Sequence, residues 1–221
     1  MINHQAAREQ MVDCQVRTND VTEHALISAM LDVPRERFLP ESLSELAYTD
    51  CEFSLDAIGG EGRHIMAPAT LACMLEAAEI QPSDVALIVG AGSGYSTAVV
   101  SLLASSVMSI ESNEALSQFA STALGENGFD NVAVMNRDLS LGCEKEAPFD
   151  VILLEGAVHE VPQSLLDQLA KNGRLVAIVG AGHSAKLQLV IRVGDQFSRR
   201  TLANHAAKPL PGFQKEEEFA L

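Results

Sequence analysis

Apolar residues follow one another without interruption from Val85 to Val89, and the run stops at three glycines in alternate positions, Gly90, Gly92 and Gly94. A short continuous apolar run closed by turn residues predicts a strand buried on both faces. Beyond Tyr95 an alanine- and valine-rich segment changes to helical spacing, so the unit reads strand, tight turn, helix. The rhythm repeats. Further strands are predicted at Val107–Ile110, Asn131–Met135, Phe149–Leu154 and Arg174–Val179. Between them come helices: one capped by Asn113 with Leu116, Phe119, Ala120 and Leu124 facing inward, and one opened by Pro162 that runs through Leu165, Leu166 and Leu169. Lys171-Asn172-Gly173 is expected to stop the latter. Leu187–Val193 and Phe197–Leu202 flank Gly194-Asp195 and predict a hairpin at one sheet edge. Strands alternating with helices predict an α/β fold on a mostly parallel sheet.

Ahead of this repeat the pattern predicts an accessory helical layer. One helix is expected over residues 5–17 and a second from Glu23 to Leu31, with Leu26, Ile27, Met30 and Leu31 as its apolar stripe. A connector with prolines near both ends, Val33 to Pro40, leads to a short helix near Ser42–Leu46. Tyr48 to Gly62 reads as an irregular crossing segment, followed by Arg63–Ala67 and a helix begun by Pro68.

Composition narrows the class. The 221 residues, 47% hydrophobic, suffice for a single domain over 1–221, divided into an N-terminal helical and substrate-loop region (1–67), a core (68–205) and an acidic tail (206–221). That tail is turn-rich and carries Glu216–Glu218, and its two phenylalanines, Phe213 and Phe219, offer a means of docking. A formal net charge of −15 opposes attraction to nucleic-acid phosphates and anionic lipid, so neither nucleic acid nor membrane is an expected partner. Cys14, Cys51, Cys73 and Cys143 are scattered, with no paired spacing that suggests a zinc site or a disulfide framework. No apolar run approaches the roughly 20 residues of a membrane span. A cytoplasmic location is expected; the sequence leaves the oligomeric state open.

The glycine turn carries the first chemical signal. Glycine lets a backbone turn sharply and approach a bound nucleotide closely. A dinucleotide fingerprint requires a small residue at its sixth position, where this chain has Tyr95. Gly-x-Gly-x-Gly is instead the spacing of S-adenosyl-L-methionine sites, with Gly90, Gly92, Ser93 and Gly94 as the cradle. Glu111, about 20 residues beyond the first glycine at the tip of the adjacent strand, is placed to accept from both ribose hydroxyls. Asp138, with its neighbour Leu139, follows the third strand of the repeat, where an acid accepts from an adenine amino group. Each of these acids has an ordinary alternative, Glu111 as a solvated strand end and Asp138 as a turn residue.

From about Arg8 to Gly180 the chain resembles the protein-L-isoaspartate O-methyltransferase family. The resemblance rests on Gln15-Val16-Arg17, on Val33-Pro34-Arg35 with Phe38 and Pro40, on Ala47-Tyr48 with Asp50, and on Gly60, Gly62 and Pro68. It continues through Gly90–Tyr95, Ser109-Ile110-Glu111, Asn131-Val132, Pro148-Phe149-Asp150, Val161-Pro162, Gln168-Leu169 and Gly173–Val176. It implies a class I methyltransferase (Rossmann-like) with a mostly parallel seven-stranded sheet, S-adenosyl-L-methionine as donor, and esterification of a carboxylate of isomerised aspartyl residues in proteins. The partner is then a protein or peptide carboxylate, already ionised at neutral pH, so no general base is required.

The chain departs from the family pattern in three places. In the substrate loop the usual Gln, Thr and Ser are replaced by Arg63, His64 and Met66. These three are candidates for contact with the acceptor, and the catalytic residues stay unassigned. Met66 removes the hydroxyl expected to orient the acceptor. Arg63 is open to two readings, a bidentate grip on a carboxylate or an exposed loop cation. Ile88 stands where an acid usually precedes the glycine turn, which lowers the expected donor affinity. Glu155 puts a carboxylate where an anionic acceptor approaches and is expected to repel it. Two alternatives follow: a cofactor-binding pseudoenzyme acting by protein interaction, or methyl transfer to a different acceptor.

Overall fold

In a computed structural model that describes residues 3–213, Asn3 opens the first helix, its side chain accepting from the Ala6 amide at 3.2 Å. Helix α1 covers only His4–Met11. The single helix expected over 5–17 widens to a π-type turn at Val12–Val16 and tightens to a 3-10 turn at Arg17–Asn19. The wider turn keeps Met11, Val12 and Val16 buried while Asp13 and Cys14 stay exposed. Helix α2 (His24–Asp32) matches its expected stripe and is capped by the Glu23 carboxylate. The segment near Ser42–Leu46 forms a 3-10 helix over Glu41–Leu46.

The segment expected to be irregular contains an antiparallel hairpin of β1 (Phe53–Leu55) and β2 (Gly60–Ile65). Glycine allows it to lie close to the following structure. A Cβ on Gly60 would stand 2.8 Å from the Leu116 methyl groups and 2.9 Å from Leu55 Cβ, and one on Gly59 2.9 Å from Ala115 Cβ. Asn113 fixes the contact by donating to the Gly59 carbonyl at 2.9 Å. Helix α3 (Pro68–Ala78) follows, with proline in its first turn as expected.

The alternating units are β3 (Val85–Val89), α4 (Tyr95–Ser101), β4 (Ser106–Glu111), α5 (Glu114–Glu126), β5 (Val132–Asn136), β6 (Phe149–Val158), α6 (Gln163–Leu166) and β7 (Leu169–Val179), closed by β8 (Lys186–Val193) and β9 (Gln196–Asn204). The sheet order is β5-β4-β3-β6-β7-β8-β9, parallel through β7, with β8 antiparallel to both of its neighbours. It is the seven-stranded, mostly parallel sheet that the resemblance implies. Successive residues of β3 enter different cores: Ala86 and Ile88 pack with α2, α3 and α4, and Leu87 and Val89 with Leu139, Leu165, Leu166 and Phe213. The chain leaves β3 for β4 on one side and returns to β6 on the other. In open α/β sheets such a reversal is where ligands bind, in a crevice beyond the carboxyl ends of the strands.

Two boundaries differ from expectation. The helix after Pro162 ends at Leu166 because Gln168 turns back, its side chain bonding the Cys143 amide at 2.7 Å and the Leu141 and Ser164 carbonyls at 2.9 and 2.8 Å. Leu169 therefore starts a strand, and Lys171-Asn172-Gly173 is a bulge rather than a helix stop: pairing jumps from Phe149↔Leu169 to Val151↔Arg174, with Asn172 at φ 64°. Among the described residues no helix is long and apolar enough to cross a membrane.

The close seat of the hairpin gives a stability test. Gly60→Ala should destabilise the protein by about 1–3 kcal/mol, since a methyl group must displace packed Leu116 or Leu55. Urea denaturation should show a lower midpoint at unchanged slope; an unaltered midpoint would mean that the hairpin lifts freely.

Candidate functional site

The glycine turn is built by attachment to the neighbouring strand. Gly90 and Ala91 amides both donate to the Ile110 carbonyl, at 2.9 and 3.1 Å, and Gly94 donates to the Ala91 carbonyl at 2.8 Å. Gly90, Gly92 and Gly94 all have positive φ, 84°, 54° and 93°, which a residue with a Cβ adopts only under strain. Ser93 is buried at 1% exposure and its hydroxyl has no hydrogen-bond partner.

Glu111 lies where the sequence places it, but it is not solvated. It is fully buried, and four donors converge on its carboxylate: the Gly92 amide (2.9 Å) and Arg63 Nη2 (2.9 Å) on Oε2, and the Asn113 amide (3.1 Å) and Ser112 Oγ (3.4 Å) on Oε1. Of the two readings left open for Arg63, the exposed loop cation fails. Arg63 sits on β2, is 5% exposed, and uses the same nitrogen to donate to the Gly90 carbonyl at 3.0 Å. Hydrophobic hairpin packing and a buried anion together draw the cation inward.

A second buried carboxyl stands close by. Glu155, near the end of β6, is 3% exposed and hydrogen-bonded to Ser96 Oγ. Burial pushes its pKa from 4.5 up to about 8, against the opposing pull of the Ser96 bond and of the Arg63 and Arg35 cations; Glu111 adds to the rise. Glu155 therefore holds its proton to higher pH than an exposed glutamate, which weakens the charge expected to repel an acceptor. Arg35 is wholly buried over the Tyr95 ring, 4.6 Å from its centroid, and donates to the Ala47 and Met66 carbonyls at 2.8 and 2.6 Å. Its role in the site was not read from the sequence; the only signal was an arginine locked between Pro34 and Phe38.

The remaining candidates separate. Met66 is 2% exposed and belongs to the hydrophobic core, with only its carbonyl engaged, by Arg35. His64 is half-buried, paired with Ser54 across the hairpin, and its Nδ1 is buried without a partner. Ile88 is buried in mid-strand. Asp138 is exposed and its Oδ1 accepts from the amide and hydroxyl of Ser140, at 2.8 and 2.7 Å, while Leu139 is buried behind it. Part of the tail is docked rather than loose. Residues 208–213 run beside the end of β6, through bonds between Ala157 and both Lys208 and Leu210, and Phe213 is 7% exposed. Leu210 lies against two glycines, so that a Cβ on Gly90 would meet it at 2.5 Å and one on Gly156 at 2.6 Å. Glu216–Glu218 and Phe219 lie outside the described residues.

The family model for protein-L-isoaspartate(D-aspartate) O-methyltransferase matches residues 6–210. The chain belongs to the protein-L-isoaspartate O-methyltransferase family. A relative of that name from Protochlamydia amoebophila (strain UWE25) is 40% identical over 204 residues, covering 91% of this chain and 95% of the relative. Another, from Syntrophobacter fumaroxidans (strain DSM 10017 / MPOB), is 40% identical over 190 residues, covering 86% and 87%. A solved Plasmodium falciparum chain, provisionally assigned to the same enzyme and in complex with S-adenosyl-L-homocysteine, superposes with a TM-score of 0.78 at 21% identity, covering 95% of this chain and 99% of that one. That last likeness concerns the fold alone.

Two outcomes follow from the burial seen here. Met66→Ser should cost about 2–5 kcal/mol of stability, because a buried apolar side chain is replaced by a smaller polar one; an unchanged melting midpoint would contradict its core position. For Glu155 the folded pKa lies above the unfolded one, so its contribution is fully present below about pH 4.5 and declines as pH rises towards 8. Glu155→Gln should remove that decline, by up to about 1.4 kcal/mol per pH unit between these limits. Urea titrations at pH 5, 6.5 and 8 would show it, and parallel curves for both proteins would refute it.

Proposed function

We propose that this protein is an S-adenosyl-L-methionine-dependent O-methyltransferase that esterifies a carboxylate of isomerised aspartyl residues in proteins or peptides. The observation that carries this reading is the near full-length match to the family, about 40% identical to relatives that it spans almost end to end. The residues suit an adenosine-bearing donor in kind: a turn of three glycines, the unpartnered Ser93 hydroxyl beside it, and a carboxylate at the tip of the next strand. When bound, the donor supplies an electrophilic methyl group: an acceptor carboxylate oxygen forms the new bond as the sulfonium–methyl bond breaks, and the sulfur keeps the electron pair.

In this reading Gly90, Gly92, Ser93 and Gly94 cradle the donor, Glu111 accepts from its ribose, and Asp138 and Leu139 border its adenine. Nothing needs to remove a proton from the acceptor, so the chain's work is to align the two partners and exclude water. The hairpin and residues 208–213 close over the crevice and serve the second purpose. His64 and Met66 belong to the acceptor side, although Met66 acts there through its backbone carbonyl and its packing, while Arg63 reaches Glu111 on the donor side. We read 1–67, 68–205 and 206–221 as three regions of one unit. The free thiols at Cys14 and Cys51, both exposed, support a cytoplasmic location.

The test is labelled transfer. Purified protein with labelled S-adenosyl-L-methionine should modify an isoaspartyl peptide and leave its aspartyl control unlabelled. Label confined to other components of a cell lysate would reassign the acceptor, and absence of label everywhere would overturn the enzymatic reading.

A further inference from the structure

The arrangement around Glu111 contains a conflict. An ionised carboxylate offers about four lone-pair positions. In Glu111 all four are taken by protein donors, the Gly92 and Asn113 amides, Ser112 Oγ and Arg63 Nη2. The two amides belong to the turn and to the first residues beyond β4, so they cannot leave without unmaking those elements. The Ser112 hydroxyl is at 3.4 Å and rotates freely. Arg63 alone among the four is a long side chain reaching in from another element, and it holds the carboxylate as an ion pair with side-chain exposures of 6% and 0%.

Arg63 also covers the turn. Its Nη2 lies 3.0 Å from where a Cβ of Gly90 would be and bonds the Gly90 carbonyl, so the guanidinium occupies the face that an unsubstituted glycine leaves open for close approach. The Arg63 Nε, by contrast, is buried with no partner. This guanidinium thus satisfies the binding carboxylate better than it satisfies itself.

We propose that Arg63 is an internal competitor for the donor's ribose, an arginine latch that holds Glu111 closed and must swing away before the donor binds. The inference rests on the donor-site reading above and adds a gate to it. A diol also makes charge-assisted bonds to the carboxylate, but its two hydroxyls bring no positive charge, whereas Arg63 offsets the buried anion as well as donating to it. The closed form therefore dominates in the free protein. Donor affinity is reduced by the fraction of molecules in which the latch is open.

Calorimetric titration with S-adenosyl-L-homocysteine separates the possibilities without requiring turnover. Arg63→Gln, which restores the residue type usual in the family loop, should bind at least about tenfold more tightly than the unaltered protein, as expected if fewer than roughly one molecule in ten is open. Arg63→Lys retains the buried positive charge and reaches with a single nitrogen, so it should gain less; it also serves if Arg63→Gln does not fold, with melting curves reporting which variants are intact. Equal affinity in the unaltered protein and folded variants overturns the latch and leaves the donor site standing. Tighter binding by the unaltered protein also overturns it, because Arg63 would then be a donor contact. No heat of binding from any folded protein overturns the latch and the donor site together.

Discussion

The site is held by the attachment of the glycine turn to the end of β4. Two amides of the turn bond the Ile110 carbonyl and a third bonds the Glu111 carboxylate, so strand, turn and acid form one rigid corner. Without those bonds the left-handed glycines would have no reason to stay in a conformation that costs them entropy. With them, the Glu111 carboxylate is carried to a fixed place under the hairpin. The buried position of Arg63 follows, since a cation is the group that best offsets an anion taken out of water.

From that corner the electrostatics spread to the neighbouring strand. Glu111, Arg63, Glu155 and Arg35 influence one another inside a region from which water is largely excluded. Four donors reach the Glu111 carboxylate, whereas Glu155 has one hydroxyl partner, and burial leaves it holding its proton to higher pH than an exposed glutamate. The difference between these two acids is one of donor supply, not of depth.

How far the sequence could be read depended on the range of the forces involved. Val85–Val89 and the strands beside it were legible because parallel strands covered on both faces need apolar residues at every position. The glycine turn and Glu111 were legible because local chain geometry places them. The hairpin at 53–65 was not, since Gly59-Gly60 looks like loop punctuation until Leu116 is seen pressed against it. The helix after Pro162 was overextended because Gln168, which ends it, bonds to partners as far back as Leu141 and Cys143. Arg63 stays open between two readings in the sequence for the same reason: its partner is 48 residues away, and a cation's local pattern in a polar stretch points outward.

The docking of residues 208–213 bears on the order in which the chain is made. The floor of the crevice, from Gly90 to Glu111, emerges during synthesis about a hundred residues before Leu210, which lies against Gly90 and Gly156. During that interval the corner is open to solvent on the side that Leu210 later covers. An affinity tag or fusion joined just beyond Phe213 would be attached beside this cover, and cleavage before Lys208 would leave a sheet of seven strands with its glycine corner unroofed.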